Sequence, residues 1–236
     1  MNFKQAHSSN YRKGRTNDIR YIVIHYTSND GDTAKNNVDY YARTPNLQAS
    51  AHYYVDENEI WQSVKEGDAA YHCGTQTNYK HEWCRNSNSI GVEICSKYTG
   101  DIKKDKNKNT VDYGKYYFEA SALQKTADLV KELMTKYNIP IENVIRHYDV
   151  TGKVCPAPMV INELAWAKFK SMLVEKPKEV AKVVVATGND IDYVLKTKYG
   201  ITFDTLEGEK AFIKELDEAR EKDSKLYWVY YKLANK

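Results

Sequence analysis

The chain has 236 residues, 42% of them apolar and 28% charged, with a formal net charge of +3. That composition excludes disorder throughout, and the length allows one substantial core with a small second module. So small a charge, without a Lys/Arg run, argues against a nucleic-acid binder while leaving a mildly basic surface for anionic polymers.

The first apolar run, Arg20-Tyr-Ile-Val-Ile-His-Tyr26, is rich in β-branched residues and reads as a buried strand with His25 at the rim of a sheet. Asp32 or Thr33 can then cap a helix running to about Arg43, with Ala34, Val38, Tyr41 and Ala42 on one face. Residues 50–55 read as a strand, 56–59 as a tight turn and 60–64 as the hairpin partner. In the strand predicted over 89–95, Ile90, Val92 and Ile94 face one side, and Gly91, Glu93 and Cys95 the other. Residues 98–115, rich in Lys, Asp, Asn and Tyr, read as a solvated loop.

Leu123, Ala127, Val130, Leu133 and Met134 repeat at helical spacing and predict a long helix over 119–137, stopped by Asn138-Ile-Pro140. A short strand over 144–147 and a closing amphipathic helix over 160–174 follow. Interleaved strands and helices argue for an α/β domain, a mixed central β-sheet flanked by helices, over residues 1–174. Residues 175–182 are charged, carry a proline and read as a linker. Residues 183–236 read as a small α+β C-terminal module: strands at 183–186 and 201–203, helices at 190–199 and 205–222, and an aromatic tail at 226–233. That tail is expected to dock on the first domain, self-associate or bind a ligand.

No stretch approaches the roughly 18 apolar residues of a membrane span, and the first ten residues lack an export signal's apolar segment. Synthesis in the cytoplasm without a signal peptide, and no membrane partner, are the expectations. Cys73, Cys84, Cys95 and Cys155 form no CxxC pair, which argues against a zinc ribbon or a thioredoxin-type motif. The first three are expected to be free thiols, with a Cys73–Cys84 disulfide as the alternative outside the cell.

His147 and Cys155 lie eight positions apart, with Gly152 to bend the segment between them and Pro156 to stiffen its exit. Such a pair can hold two corners of a zinc ion, and His25 is the candidate third ligand, leaving one position for water. Hydrolysis also needs a group to manage the water's protons and one to stabilise an oxyanion. Glu93, an acid in an otherwise apolar strand, is the candidate for the first, its alternative being a salt bridge or a solvated face. Lys153, two residues before Cys155, is the candidate for the second, its alternative being a solvated loop lysine.

Six ordered blocks now come together: Ile22-Val-Ile-His25, Ser50-Ala-His-Tyr-Tyr-Val-Asp56, Ile60-Trp-Gln62, Tyr71-His-Cys-Gly74, Asn88-Ser-Ile-Gly-Val-Glu93, and His147-Tyr-Asp with Lys153-Val-Cys-Pro156. Over roughly residues 15–173 the chain resembles the zinc-dependent N-acetylmuramoyl-L-alanine amidases of type 2, whose fold is shared with peptidoglycan recognition proteins. The resemblance implies that fold, Zn2+ on His25, His147 and Cys155, and attack of an activated water on the amide joining N-acetylmuramic acid to L-alanine. It also implies that Lys153 assists the oxyanion. Some members carry a tyrosine where this chain has Ala51, so proton management falls to Glu93. Cys73 stands where the family usually has alanine. His72 is implied as a substrate-groove residue, with a structural hydrogen bond as the alternative, and His52 reads as structural.

Tyr26, Tyr71 and Tyr148 flank these positions and are candidate sugar or peptide contacts. The implied partner is bacterial peptidoglycan, with secondary wall polymers for the C-terminal module. The implied role is a phage or prophage endolysin of a Gram-positive host, released through a holin pore, with a host autolysin as a variant. The alternative is a peptidoglycan-binding protein that does not cut; such relatives typically lack the ligand cysteine, which is present here as Cys155.

Overall fold

In a computed structural model, residues 1–74 and 79–174 are described. The chain divides into two units, Met1–Glu175 and Lys176–Lys236. The expected linker and the strands, helices and tail expected beyond it lie outside the described residues.

The first unit is built on a six-stranded sheet: β1 (Asn2–Phe3), β2 (Tyr21–Tyr26), β3 (Tyr53–Val55), β4 (Ile60–Gln62), β5 (Ser89–Ile94) and β6 (Val144–Arg146). Their spatial order is β1-β4-β3-β5-β2-β6. Only β3 and β4 run antiparallel, as the hairpin predicted from the turn at 56–59; the other neighbours are parallel. The mixed central sheet is therefore present. β2 and β5 lie at its centre in register, with His25 opposite Glu93.

The helices are α1 (Ala34–Arg43), α2 (Ile102–Asn107), α3 (Ala120–Tyr137), α4 (His147–Thr151), α5 (Ala157–Val160) and α6 (Glu163–Leu173). Thr33 caps α1, its side chain accepting from the Asn36 N–H. Asn138 ends α3 in the left-handed conformation, with φ 50°. One face of the sheet, carrying Ile22, Ile24, Tyr53, Val55, Ile90, Val92 and Ile94, buries itself against Leu129, Val130 and Leu133 of α3 and Phe169 and Leu173 of α6. Burial of each such side chain contributes about 1.5–3 kcal/mol, so this layer dominates the stability of the unit. The opposite face carries α1, whose Ala34 and Val38 pack with Ala51, Tyr54 and Cys95. It also carries the alternate residues of β2 and β5.

Two stretches differ from expectation. Residues 98–115 are not one loop: Asp101 caps α2, and Lys97–Tyr98 pairs antiparallel with Tyr116–Tyr117. Tyr98 and Tyr116 are buried against Tyr26, so aromatic packing organises a segment whose polar sequence conceals it. The closing helix starts later than predicted, at Glu163, because Asn162 caps it and the short α5 precedes it. Among the described residues no helix is long and apolar enough to cross a membrane.

Candidate metal centre

His25 is the fifth residue of β2, and the pleat that sends Ile22 and Ile24 into the core sends His25 to the other face. Glu93, its register partner on β5, leaves the sheet on the same face. His147 follows directly on β6, whose Arg146 pairs with Ile24, so its ring comes to 4.7 Å from that of His25, centroid to centroid. It opens the short helix α4 rather than ending a strand, because the Arg146 N–H donates to Asp149 Oδ2 and turns the chain there.

Gly152 closes α4 with φ 83°, a value that favours glycine. The returning loop is tied down where the Tyr148 N–H donates to the Cys155 carbonyl. The sulfur thereby comes to 3.7 Å from His25 Nδ1. All three ligand atoms of His25, His147 and Cys155 lie within 4.8 Å of one another, and all three residues are buried.

The donor set fits zinc. Two imidazoles and one thiolate with a fourth position free is a familiar catalytic combination, and tetrahedral Zn–N and Zn–S bonds bring nitrogen and sulfur to about 3.5 Å apart. Burial, then the neighbouring His147, His72 and Lys153, hold His25 well below its ordinary range. Burial, Lys153 and His72 hold His147 down to about 3. Both rings are thus neutral, with lone pairs to give. Burial pushes the Cys155 thiol up and Glu93 adds to this, opposed by the Tyr26 N–H and Lys153. A dication would reverse that shift and release the thiol proton.

Glu93 floors an open pocket of about 360 Å³ shared with Thr27, Asp32, Asn37, Tyr41 and Tyr54. Its Oε2 is buried and has no hydrogen-bond partner among the described residues. Desolvation pushes its carboxyl up to about 8, partly offset by Lys153 and reinforced by Asp32. An unsatisfied buried carboxyl oxygen costs stability, and functional sites are where such groups concentrate. Lys153 itself is exposed, and its charge acts on His25, His147, Glu93 and Cys155 alike.

The residues expected at the groove are distributed differently. Tyr26 is only 6% exposed and packs edge-on against Tyr116, so it offers no ring face to a sugar. Tyr71 is half-buried, its backbone N–H donating to Ser50 Oγ. His72 is buried as well, and it meets His25 Nε2 and Ser89 Oγ rather than lining a groove. Tyr148 lies beneath Lys80 and Arg146. His52 is fully buried and accepts from the Gly91 N–H through Nδ1. All four cysteines are free and buried, and Cys73 and Cys84 share one cluster with Tyr21, Val23, Ile145 and Val150.

Arg146 also shapes the site, although no apolar pattern in the sequence marks it. Only 7% exposed, it grips Asp149 through Nε and Nη2 and reaches the Met159 carbonyl and Glu163 through Nη1. It fixes α4, and with it His147, against the start of α6. A larger pocket of about 900 Å³ lies at the opposite strand ends, near Arg15, Arg20, Trp83 and Arg85. Arg15 and Arg85 already donate to backbone carbonyls there, and the titratable cluster is elsewhere, at the carboxyl ends of β2 and β5, where α/β sheets carry their ligands.

A model of the family described as N-acetylmuramoyl-L-alanine amidase matches residues 15–158. The N-acetylmuramoyl-L-alanine amidase CwlL of Bacillus licheniformis is 31% identical over 159 residues, 64% of this chain and 40% of that protein. The N-acetylmuramoyl-L-alanine amidase BlyA of Bacillus subtilis is 31% identical over 170 residues, 67% of this chain and 42% of that protein. The chain thus spans about two fifths of the length of these relatives. Among solved structures, PlyL is 30% identical with a TM-score of 0.56, covering 73% of this chain and 96% of that one. The catalytic domain of XlyA is 28% identical with a TM-score of 0.55, covering 74% and 100%. A mutant endolysin from Bacillus subtilis is 28% identical with a TM-score of 0.56, covering 73% and 97%.

Proposed function

The chain belongs to the N-acetylmuramoyl-L-alanine amidase family, and from that premise we propose that it hydrolyses the amide joining the lactyl group of N-acetylmuramic acid to L-alanine in bacterial peptidoglycan. The observation that carries the reading is the convergence of His25, His147 and Cys155 beside Glu93, whose buried carboxyl oxygen has no partner among the described residues. Zinc is the metal that donor set favours, and when bound it supplies an acidified water and a Lewis acid for the carbonyl oxygen.

His25, His147 and Cys155 would hold the metal, and their buried surroundings would keep bulk water from it. Glu93 takes a proton from the water as its oxygen bonds to the amide carbon. It returns that proton to the alanine nitrogen as the carbon–nitrogen bond breaks. The Lys153 ammonium, free in solvent at the mouth of the site, donates to the carbonyl oxygen as negative charge builds there.

The role within this reading is an endolysin, supported by the likeness to a Bacillus subtilis endolysin. Residues 183–236 are assigned to wall attachment or self-association, and release through a holin-type pore brings the protein to the wall. The rival reading, recognition without cutting, is disfavoured by the complete ligand set. Digestion of purified wall with and without a chelator tests the proposal: new N-terminal alanine without new reducing sugar ends is expected, abolished by the chelator. New reducing ends alone would sink it.

A further inference from the structure

His25 touches two groups through its two ring nitrogens. Nδ1 faces the Cys155 sulfur, and Nε2 lies 3.1 Å from His72 Nδ1. On its other side, His72 Nε2 lies 3.1 Å from Ser89 Oγ, which donates at 2.7 Å to the Arg85 carbonyl. The direction of this chain is set at its far end. A carbonyl can only accept, so the single hydroxyl proton of Ser89 is spent on Arg85, and Ser89 Oγ must accept from His72 Nε2–H. A neutral His72 ring that donates from Nε2 presents a bare Nδ1, which can only accept from His25 Nε2–H. That leaves Nδ1 of His25 without a proton, on the side where Cys155 lies.

The packing is built around this contact. His72 leaves the loop after Ala69–Ala70 and lays its ring across β5 at Gly91, where an added Cβ would fall 2.5 Å from His72 Cγ and 2.7 Å from Nδ1. Gly91 stands between Ser89 and Glu93 on the same face of the strand. The only residue without a side chain on that face is therefore the one the imidazole needs to cross. Cys73 Sγ closes the far side, 3.7 Å from Ser89 Oγ.

We propose that His72, oriented by Ser89 and seated on Gly91, is a positioning residue that fixes His25 in the tautomer whose Nδ1 can bind the metal. The inference rests on the metal-site reading given above and assigns to three residues outside the ligand set the task of presenting one ligand. A ligating histidine whose other nitrogen is held this way binds more tightly because neither tautomer exchange nor ring rotation has to be suppressed on binding, and loss of such a partner typically costs about 10–100-fold in metal affinity.

The full-length, metal-free protein with 15N-labelled histidine tests the tautomer directly. Long-range proton–nitrogen correlation should report His25 protonated on Nε2 and bare on Nδ1, and a proton on Nδ1 would overturn the proposal. In competition with a chromophoric chelator, His72→Phe should bind zinc about 10–100-fold more weakly. His72→Gln, whose amide can accept from His25 and donate to Ser89, should recover most of that loss. Equal zinc affinity in His72→Phe and the native protein would also overturn it. If His72→Phe does not fold, Ser89→Ala takes its place and should let His25 populate both tautomers; an unchanged single tautomer counts against the relay. Should the native protein bind no zinc, the metal reading fails, while the tautomer measurement still decides the relay by itself.

Discussion

Glu93 sits where its carboxyl group is costly, and the cost has a sign that can be measured. Its proton affinity in the fold, about 8 against an ordinary 4.5, means that between those values the metal-free native state keeps a proton the unfolded chain has released. Stability from this group is therefore lost as pH rises through that window. Glu93→Gln should melt like the native protein near pH 4 and be the more stable by several kcal/mol near pH 9. A melting difference independent of pH would count against the raised affinity. Glu93→Ala should still bind zinc yet lose about 10²–10⁴-fold in turnover, measured by release of alanine termini. Cys155→Ser should lose zinc, because a neutral hydroxyl replaces the one anionic ligand; retention of the metal in equilibrium dialysis would contradict it. Both residues were legible in the sequence, Glu93 by its place among apolar neighbours and Cys155 by its spacing from His147. The contact of His72 with His25 was not, since 47 residues separate them and only folding lays one ring against the other.

At the scale of elements, the strands and long helices follow from periodicity because one apolar face of the sheet meets α3 and α6. Leu133→Ala, in the middle of that contact, should cost about 2–5 kcal/mol in denaturant unfolding. What periodicity conceals are elements held by capping and aromatic contacts, such as α2 behind Asp101 and the strand pair closed by Tyr98 and Tyr116. The helix α4, at the end of a predicted strand, is concealed for the same reason. Its start depends on Arg146 and Asp149, three residues apart, which no apolar pattern reports. Arg146→Ala should remove about 2–3 kcal/mol, since Asp149 and the Met159 carbonyl lose their partner, though Asp149 stays partly solvated. It should weaken zinc binding as well, because His147 is the next residue; a melting loss without any affinity loss would separate the clamp from the site.

For the whole molecule, His25, Glu93, His147, Lys153 and Cys155 all lie within Met1–Glu175. A chain ending at Val174 should therefore keep zinc and cleave soluble muropeptides, while sedimentation with intact wall should fall if residues 183–236 attach it. The site nonetheless draws on distant parts of that unit, for His25 and Cys155 are separated by 130 positions and meet only when β6 has docked beside β2. Bringing such remote positions together is entropically slow, whereas a helix such as α3 forms from near neighbours. Refolding from denaturant should accordingly restore the far-ultraviolet helix signal before the capacity to bind zinc. Binding capacity that returned together with the helix signal would count against this order.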